Sequence, residues 1–349
     1  MQPASHDQIV HLSERDAPVA PEQLLEHFEP PPRFAQVRFA NYRPNQEFSS
    51  QHEAKTRLES FVLESFLQDA EGSKKKFSWF GLAKSKAELQ ASVYLDGGFG
   101  VGKTHLLAAT WHEFNGAKYF LSFAELVFAI GALGMEKAVP AFKKAKLLCI
   151  DEFELDDVGN TLVVSRFLGR LIPEGTRVVT TSNTLPTQLG LGRFNADDFK
   201  REIQSIAGHF DALRIDGPDY RHREGLPAPH PCKPATLEQE FSAFNGVKAL
   251  EDFQSLNAHL GRLHPIRYAG LLEGVNAVFV RDLAPILKQD DALRFVHFVD
   301  KLYDREIKFL ASGCELESLF PESYRHGGYA KKYSRCLSRL GELLRDGLG

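Results

Sequence analysis

Short apolar runs and amphipathic segments alternate through the middle of the chain. Runs rich in β-branched and other apolar residues predict strands at 92–96, 118–122, 146–151, 177–182 and 212–216. The segments between them have helical spacing, and one of them opens with a capping box formed by Ser122 and Glu125. Because strands that alternate with helices form parallel sheets covered on both faces, this pattern predicts a three-layer α/β/α core.

The pattern before this core is more polar. Residues 1–35 end in consecutive prolines and predict an extended N-terminal arm, with a short helix at 21–28. The segment 38–48 predicts a strand and a turn, and the apolar positions of 51–70 have helical spacing. A basic, aromatic-bearing insert at 71–89 then interrupts the pattern. It indicates either a solvated surface loop or a contact for an acidic or nucleic-acid partner.

The composition changes again after the core. The proline-rich stretch 225–235 predicts a linker, and helical spacing at 292–303 and 333–344 predicts a mainly helical C-terminal domain. We therefore divide the chain into the N-terminal arm, a core at 36–222, and a linker with a helical lid domain at 223–349.

The overall composition is that of an ordinary globular protein. The 349 residues are 43% hydrophobic and 25% charged, with a net charge of −4. This charge gives no general reason to expect a nucleic-acid or anionic membrane partner. No apolar run has the length of a membrane span, and the N-terminus lacks the features of a targeting peptide. The four cysteines have no CxxC spacing, which indicates reduced thiols, so we expect a cytoplasmic enzyme.

A glycine-rich loop follows the first predicted strand of the core. Residues 97–104 fit the pattern G-x-x-x-x-G-K-[ST] at every fixed position. Glycines let backbone N–H groups turn toward phosphate oxygens, and the next helix directs its positive end at them. Lys103 is expected to reach the β- and γ-phosphates of ATP, and Thr104 to bind Mg²⁺. The predicted nucleotide-binding residues are Gly97, Gly98, Phe99, Gly100, Val101, Gly102, Lys103, Thr104 and His105.

Two acidic residues end another predicted strand. Asp151 and Glu152 follow the apolar run 147–150, at the carboxyl end of a parallel strand, where ligand sites form. Asp151 is expected to support the Mg²⁺, and Glu152 to act as the base that polarises the attacking water. The adjacent Glu and the intervening strand at 118–122 favour the ATP-hydrolysing branch of P-loop proteins over kinases and small GTPases. An acidic strand cap is the alternative.

A third polar residue follows the strand at 177–182. Asn183 could hydrogen-bond the γ-phosphate or the attacking water, so it is a candidate catalytic residue. Its alternative role is that of a turn residue shortly before Pro186. Weaker candidates of the same kind are Thr180, Thr181 and Ser182.

Several segments together resemble a known family. They are GGFGVGKTHLL, CIDEFELDD, TSNTLP, DYR, RFVHFVDKLYD and SRLGEL, together with the N-terminal PPPRFAQVRFANYRPN. These segments resemble the ZapE family of cell-division ATPases, which belongs to the same AAA+ family as the mitochondrial lactation-elevated ATPase. The resemblance covers nearly the whole chain. It implies an AAA+ P-loop ATPase core with a helical C-terminal part, ATP and Mg²⁺ as ligands, and an association with the division protein FtsZ.

The resemblance also suggests which arginines act on the nucleotide. The family has a Gly-Leu-x-Arg segment followed closely by Phe and Pro, whereas this chain reads LGLGRFNADDFKREI. Arg193 matches the family's arginine, so it is the candidate arginine finger, acting on a neighbouring subunit in a homo-oligomer. Arg201 is its rival. Arg294 is the candidate sensor-2 arginine, and a solvated helix charge is its alternative role.

Other interpretations of the sequence have less support. His222, His230 and Cys232 offer only three zinc ligands, all within or beside a proline-rich linker. The segment GKTHLL also resembles replication initiators and helicase loaders, so a DNA-associated ATPase is the alternative function. The negative net charge argues against it, and the basic insert 71–89 is the feature in its favour. A nucleotide-binding scaffold without hydrolysis is opposed by the presence of Glu152.

Overall fold

The chain forms two compact units. We call Pro21–Pro30 with Phe34–His222 the central unit, and Met1–Ala20 with Pro31–Arg33 and Arg223–Gly349 the terminal unit. The computed structural model describes residues 8–18, 25, 28–74, 92–154, 158–185, 200–218 and 230–348. Each unit has its own parallel sheet.

Strands and helices alternate along most of the described residues. The strands are β1 (Gln8–Val10), β2 (Ser92–Gly97), β3 (Lys118–Ser122), β4 (Leu147–Asp151), β5 (Arg177–Ser182), β6 (Phe210–Ile215), β7 (Val247–Asp252), β8 (Ala277–Leu283) and β9 (Lys308–Gly313). The helices are α1 (Ser49–Lys74), α2 (Lys103–Glu113), α3 (Phe123–Leu133), α4 (Met135–Phe142), α5 (Val158–Leu171), α6 (Lys200–Ala207), α7 (Pro234–Ala243), α8 (Phe253–Arg262), α9 (Tyr268–Leu271), α10 (Gln289–Asp304) and α11 (Ala330–Gly347).

The central unit is built on a five-stranded sheet. Its order is β3-β4-β5-β2-β6, and every neighbouring pair of strands is parallel. Strand β5 therefore lies between β2, which precedes the glycine-rich loop, and β4, which ends at Asp151, the first residue of the acidic pair. Because the strands are parallel, the carboxyl ends of these three strands meet at one edge of the sheet.

Both faces of this sheet are covered by helices. On one face, Leu58 and Phe61 of α1 and Leu106 of α2 pack in one buried cluster with Val93 and Cys149 of the sheet. Helices α3 to α6 pack against one another or against β3 and β4 on the other side. The strands alternate their side chains between the two faces, which are both apolar. The prediction of an α/β fold with a parallel sheet is confirmed.

The local predictions for the central unit are largely confirmed. The five predicted strands are present, although the last one runs over Phe210–Ile215 instead of 212–216. The capping box is present as well, since Ser122 Oγ accepts the Glu125 N–H at 3.3 Å and Glu125 Oε2 accepts the Ser122 N–H at 2.8 Å.

The strand predicted within 38–48 is wrong. The segment contains a 3₁₀ turn at Phe39–Asn41, and the Phe39 N–H donates to the Glu113 carboxylate at 2.7 Å instead of to a neighbouring strand. Residue types that favour strands do not determine the conformation of a segment when a side chain accepts the hydrogen bond of its backbone N–H group. Of the short helix predicted at 21–28, only positions 25 and 28 belong to the described residues.

The terminal unit also has a parallel sheet, of four strands in the order β1-β7-β8-β9. On one face, Leu256 of α8, Phe295 of α10 and Leu340 of α11 pack against Val278 and Phe309. On the other face, α7 contributes to a smaller buried cluster beside β8 and β9. No helix among the described residues is long and apolar enough to span a membrane.

This sheet adds strands to the mainly helical C-terminal domain that the sequence predicts. Helical residues outnumber strand residues there, and the predicted helices at 292–303 and 333–344 lie within α10 and α11. The helices nevertheless pack on β7, β8 and β9, which the sequence pattern did not reveal. Short apolar runs of this length cannot be told from buried helix segments by periodicity alone.

The N-terminal residues also differ from an isolated extended arm. Strand β1 pairs in parallel with β7, and the Leu12 N–H donates to the buried Glu251 carboxylate at 2.5 Å. Arg15 donates to the carbonyl of Leu271 at 2.8 Å. This pairing joins residues about 240 positions apart, so no local sequence pattern could predict it.

Candidate functional site

The glycine-rich loop has a backbone that only glycine tolerates at two positions. A Cβ atom at Gly97 would lie 2.2 Å from the carbonyl oxygen of Ile215. Gly102 has φ +92°, and a Cβ atom there would lie 2.7 Å from Cε2 of Tyr42. The loop therefore packs closely against its surroundings just before α2 begins at Lys103. This is the strand, loop and helix arrangement that the motif requires.

Lys103 connects the loop to the end of β5. Its ammonium donates to the carbonyl oxygens of Gly97 at 2.9 Å and Gly98 at 2.5 Å, and to Asn183 Oδ1 at 2.9 Å. The residue is buried. A buried ammonium is costly unless acceptors surround it, and here polar oxygens do so. Lys103 and Asn183, both predicted from the sequence, therefore come together.

The carboxylate of Asp151 lies beside the first residues of α2. Thr104 Oγ1 donates to this carboxylate, 3.2 Å from Oδ1 and 3.3 Å from Oδ2. Thr181 Oγ1 also donates to Asp151 Oδ1, at 2.5 Å. Hydroxyl and carboxylate oxygens are the ligands that Mg²⁺ prefers, so Thr104 and Asp151 fit the predicted metal. Thr181, only a weaker candidate from the sequence, orients Asp151.

Glu152 has an unusual backbone conformation. Its φ is +56°, in the left-handed region that residues with a Cβ atom rarely adopt. Its N–H donates to Thr181 Oγ1 at 3.0 Å, so one threonine hydroxyl orients both acidic residues. A conformation of this kind costs about 1–3 kcal/mol and tends to occur at functional sites.

Glu154 is a buried carboxylate that the sequence interpretation missed. It is 8% exposed, and its Oε1 accepts a hydrogen bond from Asn183 Nδ2 at 3.3 Å. The signal in the sequence is the third acid of the segment DEFE, but spacing alone does not tell on which side of the chain it lies. The structure therefore adds a carboxylate to the residues around Asn183.

A further buried carboxylate lies directly before the loop. Asp96, the fifth residue of β2, has Oδ2 3.6 Å from the Arg214 guanidinium. Its Oδ1 has no hydrogen-bond partner among the described residues. Burial raises the pKa of Asp96, and the charge of Arg214 opposes this effect.

His105 packs against residues that precede the core helices. Its Nε2 lies 3.1 Å from Asn41 Oδ1, and its ring centroid lies 5.3 Å from that of Tyr42. Tyr42 in turn donates to the Val101 carbonyl at 3.3 Å. Burial lowers the pKa of His105. Its assignment as a nucleotide contact stays a prediction, and Tyr42 and Asn41 are additional residues beside the loop.

The three predicted arginines stay untested as parts of the site. Arg193 lies outside the described residues, and Arg201 is an exposed residue of α6. Arg294, in the terminal unit, donates to the carbonyl oxygens of Leu260 and Leu263 near the end of α8. Because Arg294 makes these two contacts, it is not a free, solvated charge on its helix. Its sensor-2 role stays a prediction.

The zinc alternative and the basic insert concern other parts of the chain. His230 Nδ1 contacts Glu315 Oε2 at 2.6 Å, and His222 lies outside the described residues. In the part of the chain that the structure describes, no group of three or more His, Cys, Asp or Glu side chains could hold a metal. The basic insert 71–89 lies beyond the described residues from position 75 onward.

Comparisons with known proteins give the family. The model of the AFG1-like ATPase family matches residues 19–247 and 240–347. The cell division protein ZapE of Escherichia coli is 26% identical over 294 residues, which are 72% of this chain and 77% of that protein. An uncharacterised protein of Schizosaccharomyces pombe is 23% identical over 258 residues, 58% of this chain and 57% of that protein.

Solved structures with similar regions include those of the DnaC helicase loader and of DnaI. The crystal structure of the DnaC helicase loader is 18% identical, with a TM-score of 0.36 over 53% of this chain and 99% of that chain. The DnaI structure is 20% identical, with a TM-score of 0.41 over 56% of this chain and 98% of that chain. Scores this low carry no argument about function. The family match agrees with the geometry of the loop, β4 and β5, and the chain belongs to the AFG1-like ATPase family, with an α/β fold built on parallel sheets.

Proposed function

We propose that this protein binds ATP together with Mg²⁺, hydrolyses the ATP, and uses the cycle to remodel a protein client. The observation that carries the proposal is the junction of the loop with β4 and β5. Lys103 and Thr104 of the loop reach Asn183 and Asp151 at the ends of these strands. Family membership supports ATP as the substrate.

The loop supplies the binding energy for the phosphates. The ammonium of Lys103 donates to two carbonyl oxygens and one amide oxygen, which are neutral acceptors. Phosphate oxygens carry a full charge, so they would be stronger acceptors for the same ammonium. Backbone N–H groups at the start of α2 would donate to the phosphates as well. Thr104 and Asp151 would hold Mg²⁺, which offsets phosphate charge when bound.

Two residues would act on the attacking water. Glu152 would accept its proton. The left-handed backbone of this residue, at φ +56°, supports a functional role, because such conformations tend to occur at functional sites. Asn183 would orient the water or the γ-phosphate through its amide. Thr181 would keep Asp151 and Glu152 in place through the contacts described above.

The proposal also includes a client protein and a homo-oligomeric assembly. The similarity to the cell division protein ZapE supports a client in cell division. The family resemblance of the sequence suggests FtsZ as that client. We infer a homo-oligomer in which Arg193, or in its place Arg201, acts on the ATP site of the neighbouring subunit. Such an arginine stabilises the charge that develops on the transferred phosphoryl group. Turnover measured with and without FtsZ, over a range of protein concentrations, tests both parts.

The experiment that tests the ATPase proposal compares two pairs of variants. Lys103→Ala should lose tight ATP binding, whereas Lys118→Ala should retain it, because Lys118 also contacts two carbonyl oxygens but follows the far end of α2. Glu152→Gln should bind ATP yet turn over at least roughly a hundredfold more slowly. Glu113→Gln, which alters a carboxylate bonded to a backbone N–H, should not slow turnover in this way.

Binding is measured by titration with a fluorescent ATP analogue, and turnover by phosphate release. Unchanged ATP affinity in folded Lys103→Ala would refute the assignment of the phosphate loop. Turnover of Glu152→Gln at the rate of the unmodified protein would place the base elsewhere.

A further inference from the structure

A chain of three polar side chains crosses the site. Lys103 Nζ donates to Asn183 Oδ1 at 2.9 Å, and Asn183 Nδ2 donates to Glu154 Oε1 at 3.3 Å. Asn183 thus has an ammonium at one end of its amide and a carboxylate at the other. Glu154 is 8% exposed, so bulk water does not readily replace it as the acceptor.

The chemistry of the two partners determines the orientation of the amide. An ammonium only donates hydrogen bonds, and an ionised carboxylate only accepts them. Rotating the Asn183 amide by half a turn would place its NH₂ against the Lys103 ammonium and its oxygen against the Glu154 carboxylate. Both contacts would be repulsive, so only one orientation satisfies both ends.

The backbone next to Glu154 is firmly held. The Phe153 N–H donates to the Thr181 carbonyl at 2.7 Å, which extends the pairing of β4 with β5 beyond Asp151. The ring of Phe153 is fully buried, with centroids 5.0 Å from Phe123 and 6.2 Å from Tyr94. Glu154 follows on this anchored segment, so its carboxylate is held in place for Asn183.

We propose that Glu154 is a positioning residue that keeps the Asn183 amide in its productive orientation during the ATP cycle. This inference rests on the proposed function, in which Lys103 binds the phosphates of ATP. When Lys103 turns to the phosphates, its bond to the Asn183 oxygen is lost, whereas the bond from Asn183 to Glu154 still favours the same orientation. An amide nitrogen carries two hydrogens, so Asn183 can bond Glu154 with one and present the other to a phosphate or water oxygen.

The test is a double-mutant cycle with Glu154→Gln and Asn183→Ala. A glutamine can offer either its oxygen or its NH₂ group, so Glu154→Gln keeps a hydrogen-bonding partner but no longer selects one orientation of Asn183. We expect kcat to fall roughly tenfold and KM for ATP to change less than about threefold, since positioning acts on the transition state. In the Asn183→Ala background, Glu154→Gln should cause no further loss.

A second measurement of the cycle needs no nucleotide. The bond between Asn183 and Glu154 is present without ATP, so the two substitutions should also couple in the urea midpoint of the central unit, followed by tryptophan fluorescence. Glu251→Gln is the matched control. Glu251 is likewise a buried carboxylate that accepts one N–H, but it lies in the terminal unit and should leave kcat unchanged.

Each outcome decides the proposal. A fall in kcat from Glu154→Gln that disappears in the Asn183→Ala background, with coupling in the midpoint, supports it. An equal fall in both backgrounds overturns it, because Glu154 would then act without Asn183. Full activity of Glu154→Gln or of Asn183→Ala also overturns it. The ATPase proposal would survive these results, since it is judged on Lys103 and Glu152.

Discussion

A buried charged cluster in the terminal unit allows a sharp prediction about stability. Asp300 of α10 accepts hydrogen bonds from Arg335 at 2.8 Å and Arg339 at 2.5 Å, both on α11. The side chains are 11%, 6% and 13% exposed, in that order. Burial alone would raise the pKa of Asp300, but the two guanidinium groups, with a smaller effect of His297, hold it below its usual value.

Replacing Asp300 by Asn removes a buried negative charge that both of these cations contact. Removal of one partner from a buried ion pair destabilises a protein by about 3–5 kcal/mol. The Asn oxygen can still accept one hydrogen bond, so we expect a loss of unfolding free energy at the lower end of this range, about 3 kcal/mol. Arg339→Met should cost less, because it leaves Asp300 and Arg335 as a neutral pair. Asp290→Asn, an exposed acid in the first turn of the same helix, should cost less than about 1 kcal/mol.

The assay is urea unfolding followed by two signals. Both tryptophans, Trp79 and Trp111, belong to the central unit, so their fluorescence reports on that unit, while circular dichroism reports on both units. If the units unfold separately, Asp300→Asn should lower only the transition that the tryptophans do not follow. If the chain unfolds in one step, both signals should shift together. A free-energy change of Asp300→Asn no larger than that of Asp290→Asn would refute the reasoning.

Two further predictions follow from particular residues. Since the pKa of Asp300 is lowered in the folded state, its contribution is fully present above the usual value of 3.8 and is lost as the pH falls below it. The difference in unfolding free energy between the unmodified protein and Asp300→Asn should therefore be constant from about pH 7 to pH 5 and shrink below about pH 4. Urea unfolding curves of both proteins, recorded at a series of decreasing pH values, measure this difference. Gly102→Ala should weaken ATP binding at least about tenfold, because its φ is +92° and the new methyl group would clash with Tyr42. Gly131→Ala, in α3 with no atom within 4 Å of the added Cβ, should leave ATP binding unchanged and so serves as the control in the same titration.

The central unit is readable from the sequence because its signals are local. A strand, a glycine-rich loop and a helix follow one another within about twenty residues, and the acidic pair directly follows its own apolar strand. Parallel strands place such residues at one sheet edge whatever the details of packing. The meeting of Lys103, Asn183, Thr104 and Asp151 was therefore predictable, since each ends or follows a recognisable element.

The remaining features depend on residues distant in the chain, and only the tertiary structure decided them. Strand β1 pairs with β7, whose residues lie 239 positions further along the chain. Strands β7 to β9 are apolar runs too short to identify by periodicity. The role of Thr181 depends on which way its hydroxyl faces at the end of β5, and that of Glu154 on the pairing of Phe153 with β5. Sequence spacing specifies which residues can end a strand, but the direction of their side chains follows from register and packing between elements.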